Sequence, residues 1–266
     1  MTKTCIFFGG PGVSKEHLWS KALGLEIARW LPKESLKSYK AIQRSDGTEE
    51  TSVDGHPLYS TTVPCVCAPC NNGWMNQSDE RTRNKTIRLI RDQKASFSQQ
   101  DSEWLAAWLA MKMIVRDEIQ TTQSVFTDQD KQDFYSTRLP PADMWIGLGY
   151  AKQVMWANAF HRQWRRGYSQ DGMFHEAIWT MGLGATVAFI EYPVKGKGPT
   201  GIPPNQLVQL WPSPKAFEWP VNPVLTPAQV RYLAMRYNAS FPSAGDFGNE
   251  RRFMPTGKPT QGRPPS

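Results

Sequence analysis

Residues 67–75 read Cys67-Ala68-Pro69-Cys70-Asn71-Asn72-Gly73-Trp74-Met75. Two cysteines separated by two residues present two thiolates to one metal ion, at the spacing of a structural zinc knuckle. A knuckle of this kind takes its other ligands from a second segment. Upstream stands Cys5-Ile6-Phe7-Phe8-Gly9, followed by Lys15-Glu16-His17-Leu18-Trp19. The pattern implies a clamp between two distant segments. The acid–His pair on the earlier segment, with Asn71 after the later Cys, adds the parts of a hydrolytic site.

These segments resemble the HNH endonuclease family, the ββα-metal nucleases. Within it they are similar to phage and bacterial proteins whose segments read roughly C-x-F-C-G, E-H-x-x-P and V-C-x-x-C-N-N-G-W-M. The match runs over Cys5 to Gly9, Glu16 to Ser20 and Val66 to Met75, all in the first third of the chain. Phe8 stands where the family has its second Cys, and Ser20 where it has a Pro.

The resemblance implies an α+β chain that opens with a ββα-metal module. It implies His17 as general base, with Glu16 and Asn71 holding a catalytic Mg²⁺ or Mn²⁺. It implies structural Zn²⁺ on Cys5, Cys67 and Cys70, and DNA as substrate and partner. The family's middle Asn falls near Thr62, so the resemblance supplies no partner to orient His17. A phage or bacterial setting, in the cytoplasm of the host cell, is the expected location.

The residue types suit that chemistry. Phosphodiester hydrolysis needs an in-line water, a base to deprotonate it, and a cation to neutralise the leaving oxygen. A neutral His takes a proton near physiological pH. Carboxylate and amide oxygens suit Mg²⁺. Plainer readings stand beside these. An isolated Glu-His pair carries little information, and Asn71 and Asn72 are also good caps for a following helix. His56, His161 and His175 have no ligand spacing and read as structural or surface residues. A catalytically degenerate HNH fold, kept to bind DNA or a protein partner, is the alternative reading, as is a zinc-stabilised scaffold.

The zinc site raises a counting problem. A closed structural site takes four ligands, and Phe8 cannot be one. Cys65, two residues before the knuckle, is a spare thiol. Either Cys65 substitutes, or zinc is lost and Phe8 packs over three free thiols, since Cys also serves as a small buried hydrophobe. All four cysteines fall within residues 5–70, too few and too clustered for a disulfide framework.

The chain has 266 residues and a net charge of +7. That is enough for a sizeable core, and the charge modestly favours a polyanionic partner. Eleven Trp are expected mostly in the core. Met1-Thr2-Lys3-Thr4 has no apolar run behind it, so no signal peptide is expected. No stretch approaches the roughly 18 apolar residues of a membrane span.

Three regions follow. Residues 1–92 carry the motifs. They are expected to hold a short strand at Cys5 to Phe8, a helix at Lys21 to Leu31, a hairpin within 38–66 turning near Asp54-Gly55, and a charged helix from Gln77 to Arg91 with Ile87 and Ile90 inward. Residues 93–240 form a helical and β-rich accessory domain. Its helix at 101–120 is capped by Asp101 or Ser102 and a shorter one by Thr127. Antiparallel strands cover 143–212 with a turn at Gly182-Leu183-Gly184, and a last helix starts at Thr226-Pro227. Residues 241–266, rich in Pro, Gly and Ser, are expected to be disordered. Arg81, Arg83, Lys85, Arg88 and Arg91, and later Arg162, Arg165 and Arg166, read either as phosphate contacts or as solvated faces.

Overall fold

The computed structural model describes residues 4–17, 19–30, 37–43, 49–57, 62–118, 124–152, 156–169, 172–192, 202–203 and 205–235; at 16, 27, 30, 37–43, 49–57, 156–169, 172–177, 183, 231 and 234–235 the description is of the backbone only. The fold is mixed helix and sheet, in keeping with the α+β expectation.

The motif-bearing part is built on a two-stranded antiparallel pair. Strand β1 (Ser14–His17) runs against β4 (Thr62–Val66), with Glu16 opposite Val63 and His17 opposite Thr62. Between them the chain makes α1 (Lys21–Trp30) and an antiparallel hairpin of β2 (Lys37–Gln43) and β3 (Glu49–Pro57). That hairpin was expected, but Asp54-Gly55 is not its turn. Asp54 pairs with Ser38 inside the ladder, and residues 44–48, between the two strands, lie outside the described residues.

After β4 come a short helical turn α2 (Ala68–Cys70), a wide turn at Asn71–Met75, and helix α3 (Asn76–Ile90). Pro69 sits in the first turn of α2, where its missing N–H costs nothing. α3 buries Asp79, Thr82, Thr86, Leu89 and Ile90. Ile87, expected inward, is only half-buried.

Cys5 to Phe8 is not the expected strand. The Gly9 N–H donates to the Cys5 carbonyl at 2.8 Å, and the Cys5 N–H donates to the Gly10 carbonyl at 2.9 Å. The chain therefore curls around Cys5. Gly9, at φ +72°, takes the left-handed conformation this curl needs. The strand begins only at Ser14.

Strand β5 (Ala95–Phe97) leads into α4 (Gln99–Asp117). The N-cap of α4 is Ser98, three residues before the expected site. Its hydroxyl accepts from the Asp101 N–H at 3.1 Å, and Asp101 Oδ2 accepts from the Ser98 N–H at 2.8 Å. Asp101 thus closes a reciprocal capping box. Helix α5 (Asp128–Thr137) is capped by Thr127 as expected, and Asp130 closes the same motif.

The rest is a five-stranded antiparallel sheet in the order β10-β6-β9-β8-β7, made of β6 (Trp145–Tyr150), β7 (Trp156–Ser169), β8 (Gly172–Gly184), β9 (Thr186–Tyr192) and β10 (Val208–Trp211). A small strand β11 (Phe217–Trp219) pairs with β5. Helix α6 (Pro227–Met235) follows the Thr226 cap, which accepts from the Gln229 N–H at 3.2 Å.

The β8–β9 turn closes at Gly184, φ +59°, where a Cβ would stand 2.2 Å from the Ile90 carbonyl oxygen. The sheet therefore docks against the end of α3. One hydrophobic cluster runs from Cys5 and Trp19 through Leu89, Trp108 and Ile146 to Trp219, crossing residue 92. Trp19, Trp108, Trp179 and Trp219 are among its largest fully buried side chains. Where α3 meets α4, the Trp108 indole donates to Asp79 Oδ1 at 2.5 Å, and Lys112 Nζ lies 3.3 Å from the same oxygen. Among the described residues, no helix is long and apolar enough to cross a membrane. The expected disordered tail lies outside the described residues.

Candidate metal centre

The curl around Cys5 and the helical turn at Cys67–Cys70 meet over β4. The Ile6 N–H donates to the Cys65 carbonyl at 2.9 Å, which holds the first segment against the second. Cys5, Cys67 and Cys70 are all buried, and their sulfurs lie within 4.8 Å of one another. Cys5 Sγ and Cys70 Sγ are 3.8 Å apart. With metal–sulfur bonds of about 2.3 Å, sulfurs stand about 3.8 Å apart in a tetrahedral site and about 4.0 Å in a trigonal one. The three predicted thiols thus form a donor set of the right chemistry for a soft cation such as Zn²⁺, with the Cys5–Cys70 pair at the tetrahedral spacing.

The backbone prepares the site for thiolate. Burial raises the Cys5 pKa, but amide N–H groups of Cys67, Phe8 and Phe7 outweigh it and hold the thiol below its ordinary value. Cys70 moves the other way. Burial pushes it up to about 12, with Cys67 and Cys5 adding to the rise against a counter-effect from Trp74. A bound cation would displace the thiol protons of the cluster.

Cys65 does not supply the missing ligand. It is buried, but it is not among the described donors that share this cluster. Phe8 occupies the fourth knuckle position with its side chain 62% exposed. Its ring is turned back over Gly10, where a Cβ would meet it at 2.8 Å, and toward Tyr135 at 6.2 Å between centroids. Phe7 and Trp74 meet in edge contact at 5.1 Å, and Phe134 of α5 packs against both.

The predicted catalytic residues lie on the same scaffold. Asn71 directly follows Cys70, and its Nδ2 donates to Ser14 Oγ at 3.2 Å. Ser14 Oγ in turn donates to the Val66 carbonyl at 3.1 Å. That bond uses the donor end of the amide, and a hard cation takes the acceptor end, Oδ1. Glu16 lies two residues along β1 from Ser14; its side chain is outside the description. His17 ends β1, exposed, with Thr62 as its register partner.

Most of the basic residues of α3 are engaged within the chain. Lys85 pairs with Asp101 at 3.2 Å, Arg91 with Glu26 at 2.5 Å, and Arg88 donates to the Lys94 carbonyl at 3.3 Å. Arg81 lies over the Trp104 ring at 5.7 Å. Arg162, Arg165 and Arg166 lie on β7, their side chains outside the description, as are those of His56, His161 and His175.

One residue close to the site gave no sequence signal. Arg138 ends α5 in the left-handed conformation, φ +60°. Its guanidinium lies over the Trp74 ring at 4.2 Å and over Tyr135 at 4.4 Å. Comparison of the chain with family models, curated proteins and solved structures finds no match in any of the three.

Proposed function

We propose that the chain is a metal-dependent, HNH-type DNA endonuclease whose N-terminal module is held by the Cys5, Cys67 and Cys70 centre. The observation that carries the reading is the Asn71–Ser14 hydrogen bond. It joins the turn after the metal knuckle to the strand that bears Glu16 and His17. A β1–β4 pair followed by α3, with the Cys curl at its head, also agrees with a ββα-metal module.

In this reading Glu16 and Asn71 would hold Mg²⁺ or Mn²⁺ by hard oxygen donors. When bound, such a cation polarises the phosphate and stabilises the leaving oxygen. His17 would take the proton of the attacking water at a ring nitrogen. Its exposure at the end of β1 leaves that ring open to a large substrate. The thiol centre, remote in chemistry from phosphate, would fix the two segments that carry these groups.

A second reading is favoured by one observation. The register partner of His17 is Thr62, and among the described residues no side chain bonds the imidazole. A general base without an orienting partner fits a degenerate module that binds DNA or a protein.

The test is plasmid cleavage by purified protein with Mg²⁺ or Mn²⁺, against His17→Ala and an EDTA control. Metal-dependent nicking lost in His17→Ala is the expected result. Absence of cleavage with a retained plasmid mobility shift selects the degenerate binding module. Equal cleavage by both proteins rules out His17 as the base.

A further inference from the structure

We propose that Arg138 is the charge partner of a three-thiolate metal centre, and serves electrostatically where a fourth thiolate is missing. The proposal rests on the reading that Cys5, Cys67 and Cys70 bind a soft cation, with Zn²⁺ as the probe.

A divalent cation on three thiolates carries a net charge of −1. Burying that charge costs free energy unless a counter-charge stands near. Phe8 fills the fourth knuckle position with an exposed ring, and Cys65 lies outside the cluster. The described chain thus supplies three sulfurs and no fourth donor. Trp74 follows Cys70 by four residues across the kink at Gly73, and its ring carries the Arg138 guanidinium at 4.2 Å. Tyr135 flanks the same guanidinium at 4.4 Å.

Besides lying over these two rings, Arg138 hydrogen-bonds the Tyr135 side chain. Its Nη1 is buried and makes no hydrogen bond. No carboxylate pairs with it among the described residues. The Cys70 thiol lies near enough to act electrostatically on the guanidinium, against the effect of burial. The left-handed backbone at Arg138 (φ +60°) is uncommon for a residue with a Cβ. It reverses the chain at the end of α5 and returns this side chain onto Trp74. A neutral residue could pack there, but only a cation answers the charge of the centre. Groups that support metal ligands from outside the coordination sphere typically change affinity by about 10–100-fold when removed.

The test is Zn²⁺ affinity by chelator competition for the full chain, its Arg138→Gln and Arg138→Lys variants, and Phe8→Cys. Thermal melting of each metal-free protein is measured alongside. One Zn²⁺ per wild-type chain is expected. Arg138→Gln should bind about 10–100-fold more weakly with an unchanged metal-free melting temperature. Arg138→Lys should fall between, and Phe8→Cys should bind more tightly. Bound Co²⁺ should show a thiolate charge-transfer band that grows by about a third from wild type to Phe8→Cys, as three sulfurs become four.

Equal affinity in wild type and Arg138→Gln would overturn the role of Arg138 and leave the metal site standing. So would a metal-free melting temperature that falls in Arg138→Gln enough to explain the weaker binding, because that marks a packing role. If Arg138→Gln does not fold, Arg138→Lys decides: affinity within about 10-fold of wild type supports a charge role, and a larger loss refutes it. Absence of Zn²⁺ binding by the wild type would sink the thiol centre itself.

Discussion

Replacement of Asp79 by Asn tests how α3 is fastened to α4. Asp79 and Lys112 are both buried, with Lys112 Nζ 3.3 Å from Oδ1 and 3.4 Å from Oδ2. The Trp108 indole donates to Oδ1. Asn keeps the shape and an acceptor for Trp108, so Asp79→Asn removes little besides the charge. Lys112, itself buried, then loses the Asp79 carboxylate. Breaking a buried pair in this way costs about 3–5 kcal/mol, against a total stability of about 5–15 kcal/mol for a folded protein. With a urea slope of about 2–3 kcal/mol per molar, the midpoint should fall by about 1–2 M.

Lys112→Met in the same background should return most of the loss, because apolar replacement of both partners of a buried pair is often near neutral. The assay is urea unfolding followed by tryptophan fluorescence for the two single variants and the double variant. A cost below about 1 kcal/mol for Asp79→Asn would refute the reasoning. So would a double variant no more stable than Asp79→Asn, since the penalty would then not come from the ammonium that lost Asp79.

Gly184→Ala should cost more than about 2 kcal/mol, because the left-handed φ is strained for Ala and its Cβ would strike the Ile90 carbonyl; chemical denaturation measures it, and a neutral effect would show that the sheet does not dock there. Tyr150 donates to Asp92 Oδ2 at 3.0 Å, and burial together with that carboxylate pushes its pKa up to about 12. A raised pKa favours the folded state below about pH 10, and that contribution is lost as pH rises from about 10 through 12. Tyrosinate absorbance should therefore show Tyr150 titrating late, alongside Tyr192, whose pKa burial also raises, and Tyr150→Phe should remove the Tyr150 step while costing about 1 kcal/mol.

The sequence made the thiol trio legible because ligand spacing is a local property. A Cys-x-x-Cys turn brings two sulfurs together in almost any context, and a third buried Cys upstream completes the set. The strand expected at Cys5 to Phe8 failed for a related reason. Its residues have strand-like composition, but backbone donors converge on Cys5, and that convergence requires a curl. Ser98 was missed as a cap because Asp101 and Ser102 offer the same side-chain chemistry within one turn. Only the start of the buried apolar face separates them. The Asp79–Lys112 pair reads in sequence as two ordinary helix-surface charges, since nothing in either helix says which faces meet. Arg138 was invisible because it lies 68 residues from Cys70 and reaches the site through a single left-handed residue at the end of a helix.

The chain leaves β1 at His17 and re-enters the ladder at Thr62, its direct partner. The whole excursion carrying α1 and the β2–β3 hairpin therefore starts and finishes at one point of the scaffold. Closing such an excursion costs an entropy that grows only logarithmically with its length, so doubling it would add about 0.6 kcal/mol. This makes the junction an insertion port. Segments of different size could be exchanged there with the two motif strands still in register. The excursion is where a chain of this design could diversify what it touches while its motif-bearing frame stays constant.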